Sequence, residues 1–291
     1  MLGGGASPSS CRQAILEVHA AGKPMDSSIS LETIAKQTPG LSGADLGNVL
    51  NEAAILAVRH RRGVIGMSDV EEAVDRVVAG PARHSRLMSP KERAITAYHE
   101  AGHAVVARRL PNCDSVAKVS ITSRGAMGGY TRFLPDEDRA YWSRADCLDN
   151  VACLLGGQAA EELVFGDSTS GAANDIERAS QIVRSMVCNF GMSTKMGPIS
   201  FGDKFHYSPG QGYSGPAALS QWATTAIDQE VQQLVAEAHT RARDILVEHR
   251  AALERVANRL LEAETLDAAA FETAFTGSDD PAFPGCLLQQ P

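Results

Sequence analysis

The chain has no surplus of positive charge, no long apolar run and no paired-cysteine motif. Its 291 residues carry 27 Lys and Arg against 35 Asp and Glu, a formal net charge of −8. That balance lacks the basic face a phosphate backbone demands, so nucleic acid is not an expected partner. No apolar stretch approaches the roughly 18 residues that mark a membrane span. Met1 to Pro8 have neither the charged nor the apolar region of a secretory leader, and residues 1–10 read as a flexible leader or linker. The six cysteines (Cys11, Cys113, Cys147, Cys153, Cys188 and Cys286) contain no C-x-x-C pair. This argues against a disulfide framework or a cysteine zinc ribbon, and for buried free thiols in a reducing compartment. There is no internal repeat and no G-x-x-x-x-G-K-[ST] phosphate loop, so this chain is not expected to hydrolyse ATP by itself. What is present is 44% apolar and 21% charged, a globular balance long enough for one large domain or two smaller ones.

Local signals divide the chain. Residues 11–80 read as a small helical unit. Ser42 caps a helix with Asp45 at its third position, and Leu46, Val49, Leu50, Ala53, Ala54 and Ala57 recur at helical spacing. Gly63 is expected to stop that helix after Arg59-His60-Arg61-Arg62, a basic run suited to a helix C-terminus. Ser68 to Glu71 read as a second capping box, opening a helix through Val78 that Gly80-Pro81 ends. Residues 81–88 read as a linker. Ser89, Pro90 and Glu92 then open a long helix to about Arg109. Residues 116–122 and 129–134 flank a Gly-rich turn and predict a small hairpin. Helices are expected from near Ser143 to Phe165 and from after Ser170 through Asp175 to about Asn189. Residues 203–216 read as a loop, 217–274 as two long helices and a short third, and 277–291 as a frayed tail. The fold class is mainly α (α+β): two helical units, the second with a small β-hairpin or sheet.

The chemistry concentrates in His99-Glu100-Ala101-Gly102-His103. Two histidines at i and i+4 lie one turn apart on one helix face, so both imidazoles can reach one ion. Glu100 sits one residue round from His99, beside an ion rather than on it, where a general base must stand to take a proton from an activated water. The surrounding face (Ala97, Ala101, Ala104, Val105 and Val106) is apolar and small, which makes an unpartnered buried histidine pair costly. Gly102 weakens the helix by about 1 kcal/mol; its presence suggests that another backbone passes close by. A catalytic zinc needs a third protein ligand and an open position. Glu161, Glu162 and Asp175 are the candidates, and spacing does not choose between them.

These residues, with Gly156-Gly157-Gln158-Ala159-Ala160-Glu161-Glu162 and Ser170-Gly171-Ala172-Ala173-Asn174-Asp175-Ile176, resemble the FtsH family of ATP-dependent, membrane-anchored zinc metalloproteases. Residues 38–46 and Asn51-Glu52-Ala53-Ala54 resemble the family's AAA+ lid, and the resemblance covers roughly residues 11–276. It implies an AAA+ lid at 11–80 and a zinc metallopeptidase domain at 89–276. It implies one Zn2+ per chain held by His99, His103 and Asp175, with Glu100 as the catalytic base and Glu162 as the alternative ligand. His19, Gly43 and Ala44 would lie beside nucleotide, with ATP and Mg2+ relevant only to a full-length protein. The resemblance further implies a homohexamer that degrades unfolded or membrane-extracted polypeptides in protein quality control. Its membrane attachment, in a bacterial inner membrane or an organelle, would come only through an N-terminal segment missing from this chain. The chain is therefore expected to be a soluble C-terminal fragment on the cytoplasmic, matrix or stromal side.

Three further expectations follow. Gly210 to Gly215 match G-x-G-x-x-G, but His206-Tyr207-Ser208-Pro209 precede them and Pro216 follows, so a dinucleotide site is rejected in favour of a loop. Tyr130 to Leu134 could offer a sheet edge on which an extended peptide pairs. The stripe Ile227, Val231, Leu234, Val235 and Ala238 suits core packing or, alternatively, a subunit contact. A different class of function, a non-catalytic assembly module, is disfavoured because His99, Glu100, His103 and Asp175 are all intact.

Overall fold

The computed structural model describes residues 8–81, 88–124, 128–135, 141–201, 206–208, 212–214 and 219–277. The first seven residues of the expected leader, most of the expected linker, the Gly-rich turn at 125–127 and the tail from 278 lie outside the described residues. Four helices come first: α1 (Ser9–Ala20), α2 (Leu31–Gln37), α3 (Gly43–Arg59) and α4 (Met67–Ala79). α1 begins inside the stretch read as leader. Leu16, Ile34, Leu46, Leu50, Val70 and Val74 close into one apolar cluster. The α3 cap forms as expected, with Ser42 Oγ accepting from Asp45 N at 3.2 Å.

Two details differ from expectation. α3 ends at Arg59, so only the first residue of the basic run lies in it, with His60 as its C-cap and Arg61 in the left-handed region at φ 57°. Arg62 and His60 turn instead to buried Asp69, at 2.9 and 3.1 Å. The same Asp69 accepts from Gly66 N at 3.0 Å, so Gly66, not Ser68, is the cap of α4. The acid at the third position did the capping, and it fixed the cap two residues earlier than the serine suggested.

The remainder builds around α5 (Pro90–Arg109) and α6 (Arg144–Phe165), followed by a short 3-10 turn (Ser170–Ala172), α7 (Ala173–Cys188), α8 (Gln221–Glu248), α9 (Arg250–Ala263) and α10 (Ala268–Thr276). Ser89 and Ser143 cap α5 and α6 in full capping boxes, and Pro90 takes the first position of α5. The three C-terminal helices are the two long and one short expected. Strands β1 (Ser115–Ser120), β2 (Tyr130–Leu134), β3 (His206–Ser208), β4 (Gly212–Ser214) and β5 (Thr265–Asp267) complete the chain. The main sheet is antiparallel in the order β2-β1-β5, which leaves β2 at an edge. β5 was not anticipated, because three residues carry no readable period. β3 and β4 pair as a hairpin within the stretch expected to be a loop, and residues 212–214 of the glycine motif form β4 rather than the mouth of a helix. The fold is mainly α with a small sheet.

α5 and α6 cross where neither has a side chain. A Cβ on Gly102 would fall on the Gly156 carbonyl oxygen, and one on Gly156 would lie 2.9 Å from the Gly102 oxygen. The glycine cost in helix propensity is thus offset by close helix contact, as the sequence suggested. Because backbone cannot swing aside as a side chain can, Gly102→Ala is expected to cost at least about 1–3 kcal/mol. A thermal melt lowered by several degrees checks this; an unchanged melt would contradict the crossing. Ile227, Leu234 and Ala238 of α8 are buried in the main core, with Val231 and Val235 packed against it, so the stripe is core. Of the five described cysteines, all free, Cys147 and Cys153 are buried and Cys11 is exposed.

An ion cluster joins α4 to the sheet. Lys118 and Arg132 are direct cross-strand partners, a like-charge pairing that alone is unfavourable. Asp75 of α4, 1% exposed, resolves it: its carboxylate accepts from Lys118 Nζ at 2.5 Å, Tyr130 Oη at 2.7 Å and Arg132 Nη1 at 3.0 Å. Beside it, Arg124 pairs with Glu72 at 2.6 Å.

Candidate metal centre

α5 and α7 supply the converging side chains, and α6 the groups behind them. The face of α5 around the histidine pair is solidly apolar: Ala97, Ala101, Ala104, Val105 and Val106 are fully buried. Within it, His99, Glu100 and His103 are 8%, 6% and 7% exposed. The i, i+4 relation sets the two Nε2 atoms 3.0 Å apart. Asp175, in the first turn of α7, closes a triangle, its Oδ2 lying 3.3 Å from His99 Nε2 and 3.4 Å from His103 Nε2.

Each imidazole is oriented from behind. His103 Nδ1 faces the Cys153 carbonyl at 2.8 Å, a group that can only accept, so that nitrogen carries the proton. His99 Nδ1 faces Glu161 Oε1 at 2.7 Å. Burial works against the Glu161 carboxylate, but hydrogen bonds from His99 and the Thr169 backbone outweigh it and hold its pKa below the usual range. Both Nδ1 atoms therefore donate, and both Nε2 atoms converge with Asp175 on one point, where a bound cation would take the place of an Nε2 proton. Carboxylate and carbonyl partners behind metal-binding histidines are the usual device for this.

These residues fit a small divalent cation. A tetrahedron with bonds of roughly 2.0–2.1 Å has edges of about 3.3–3.4 Å, close to the three separations present. The charge balance asks for a cation as well. Burial opposes a charged His99, yet hydrogen bonds to Asp175 and Glu161 and the nearby Glu100 raise its pKa to about 10. Burial likewise works against the Asp175 carboxylate, but contacts with His103 and His99 hold its pKa far below normal. Space is reserved by Gly157, whose Cβ would lie 2.5–2.6 Å from the His99 and His103 rings. Gly157→Ala is expected to push the imidazoles apart and to lower zinc affinity by at least about tenfold, on the scale of losing an orienting partner. Titration with a chromophoric chelator measures it; an unchanged affinity would contradict the cradle.

Glu100 stands beside the triangle. Burial raises its pKa, with His103, His99 and the Thr131 hydroxyl opposing the rise. Thr131 Oγ1 donates to Glu100 Oε2 at 2.8 Å. A Cβ on Gly129 would lie 2.9 Å from Glu100 Oε1, so that glycine leaves the carboxylate its niche.

Of the three carboxylates left open by spacing, only Asp175 joins the convergent set among the described residues. Glu161 is fully buried behind His99. Glu162 looks away, pairing with His239 at 3.3 Å and accepting from Gln158 at 3.0 Å. Sequence reasoning missed the orienting role of Glu161, the reserved space at Gly157 and Gly129, and Thr131. The structure does not bring His19, Gly43 and Ala44 to this centre. They lie where α1 crosses the start of α3, with the His19 ring against Gly47 and Ile15 against Gly43.

Residues 86–274 match the family model for peptidase family M41. The chain belongs to peptidase family M41. In this M41 chain residues 28–72 also match the AAA+ lid domain. It is similar to proteins named ATP-dependent zinc metalloprotease FtsH. One in Sphaerobacter thermophilus is 51% identical over 271 residues, covering 93% of this chain and 41% of that protein. One in Thermotoga maritima is 50% identical over 258 residues (88% and 42%), and one in Bacillus subtilis 48% over 259 residues (88% and 41%). The M41 chain thus spans about two fifths of the length of these relatives. No described helix is long and apolar enough to cross a membrane.

Proposed function

We propose that the chain is the zinc-dependent endopeptidase part of an ATP-dependent protease, hydrolysing peptide bonds in unfolded polypeptides. The observation that carries this reading is the triangle of His99 Nε2, His103 Nε2 and Asp175 Oδ2 beside the buried Glu100 carboxylate. His99, His103 and Asp175 would hold one Zn2+. Bound zinc supplies Lewis acidity, lowering the pKa of a water to about 7 and polarising the scissile carbonyl. Glu100 takes a proton from the attacking water as its oxygen bonds to the carbonyl carbon. It then passes that proton to the departing nitrogen as the C–N bond breaks. Glu161 and the Cys153 carbonyl keep both imidazoles in the required tautomer. β2 is an edge strand among the described residues and touches Glu100 through Thr131; an extended chain pairing on that edge would be read through its main chain, which suits broad specificity.

In the whole protein, this part works as a homohexamer joined to an AAA+ motor and a membrane anchor, with ATP and Mg2+ bound there. His19, Gly43 and Ala44 form one wall of that nucleotide site. The relatives' names support the ATP dependence, and the lid match at residues 28–72 supports the AAA+ module; the hexamer, the anchor and the nucleotide wall rest on the family resemblance.

The test is cleavage of unfolded casein by the purified chain. Cleavage that stops with a zinc chelator, returns with added zinc and ignores ATP is the expected result. Cleavage that persists at full rate after the metal is removed would overturn it, and a folded, zinc-loaded chain with no cleavage would favour the assembly-module reading.

A further inference from the structure

β2 has two faces, and each is gripped by a different part of the molecule. Side chains alternate along a strand, so Tyr130 and Arg132 share one face and Thr131 takes the other. The first face meets the AAA+ lid: Tyr130 Oη and Arg132 Nη1 both donate to the buried Asp75 carboxylate of α4, at 2.7 and 3.0 Å. The opposite face meets α5: Thr131 Oγ1 donates to Glu100 Oε2 at 2.8 Å and approaches the Glu100 carbonyl oxygen at 3.3 Å. A glutamate turns about three side-chain bonds, so its carboxylate needs an external hold to stay in line with a water. The β-branched threonine, restricted at χ1, is a stiff donor for that purpose. It binds one oxygen and leaves Oε1, over Gly129, to take the proton.

We propose that Thr131 is a positioning residue for Glu100, and that Asp75, by holding the residues on either side of it, ties that position to the docked lid. The edge strand then works as a lever: displacing the lid releases Tyr130 and Arg132 and loosens the base. The inference rests on the reading of Glu100 as the general base.

The experiment uses the zinc-loaded chain and an internally quenched, unstructured peptide, with zinc content and thermal melting recorded for every variant. Thr131→Val is expected to lower kcat by about 10- to 100-fold, the scale of a misplacement near 1 Å. KM should stay within about twofold and zinc at one per chain, and Thr131→Ser should restore most of the rate. Asp75→Asn, or Arg132→Gln if the first does not fold, should lower kcat about fivefold or more, and should add little in the Thr131→Val background because both act through one strand. Wild-type kcat in Thr131→Val, or a loss that serine does not rescue, would overturn the positioning role. Full kcat in the folded lid variant, or fully additive losses, would overturn the lever. Glu100→Gln run alongside separates the two levels: if it retains activity, the base assignment itself fails, whereas an inactive Glu100→Gln beside an unimpaired Thr131→Val sinks only this proposal.

Discussion

Glu100→Gln is expected to lower peptide cleavage by about 10²–10⁴-fold, the usual contribution of a general base, with zinc still bound at one per chain. Glutamine keeps the length, shape and hydrogen bond of the native side chain but has no basic oxygen to take a proton. The carboxylate is buried beside two histidines rather than among the convergent atoms, so its loss should leave the ligand triangle intact. Cleavage assays paired with metal analysis check both halves. Loss of zinc in the variant would place Glu100 on the ion, and unchanged cleavage would remove it from the chemistry.

Asp175→Ala has the second large effect. Its carboxylate is the anionic corner of the triangle and the only one that reaches both Nε2 atoms among the described residues. Its removal is expected to weaken zinc by more than the roughly 10–100-fold that follows loss of a partner behind a ligand, and to abolish cleavage at limiting metal. The neighbouring carboxylates form a graded control. Glu161→Gln disturbs only the orientation of His99 and should fall within that 10–100-fold range. Glu162→Gln should leave affinity unchanged, because Glu162 faces His239. Competition against a calibrated chelator ranks the three. A larger loss in the Glu162 variant than in the Asp175 variant would reverse the assignment.

The order of legibility follows how local each feature is. The histidine pair was readable because one helical turn brings i and i+4 together without help from the rest of the chain. The caps at Ser42 and Ser89 were readable for the same reason, and α3 and α5 begin where those residues put them; α6 likewise follows a serine cap, Ser143, where only a helical pattern had been read. The choice among Glu161, Glu162 and Asp175 was not readable from spacing. Neighbouring residues on a helix point about 100° apart, and which of them meets His99 is decided by how α6 packs on α5. That packing depends on Gly102 and Gly156, whose meaning appears only when the two backbones touch. β5 escaped notice because three residues gain their strand character from pairing with β1. Asp75 carries no motif that would single it out in the sequence. Only the register of Lys118 against Arg132 shows what it neutralises.

The central claim is the shared ion. Crystals of the purified chain, grown with zinc and measured on either side of the zinc absorption edge, test it most directly. One anomalous peak per chain is predicted, at about 2.0–2.2 Å from His99 Nε2, His103 Nε2 and a carboxylate oxygen of Asp175. A folded chain with no peak between those atoms, or with a peak coordinated by Glu162 instead, would contradict it.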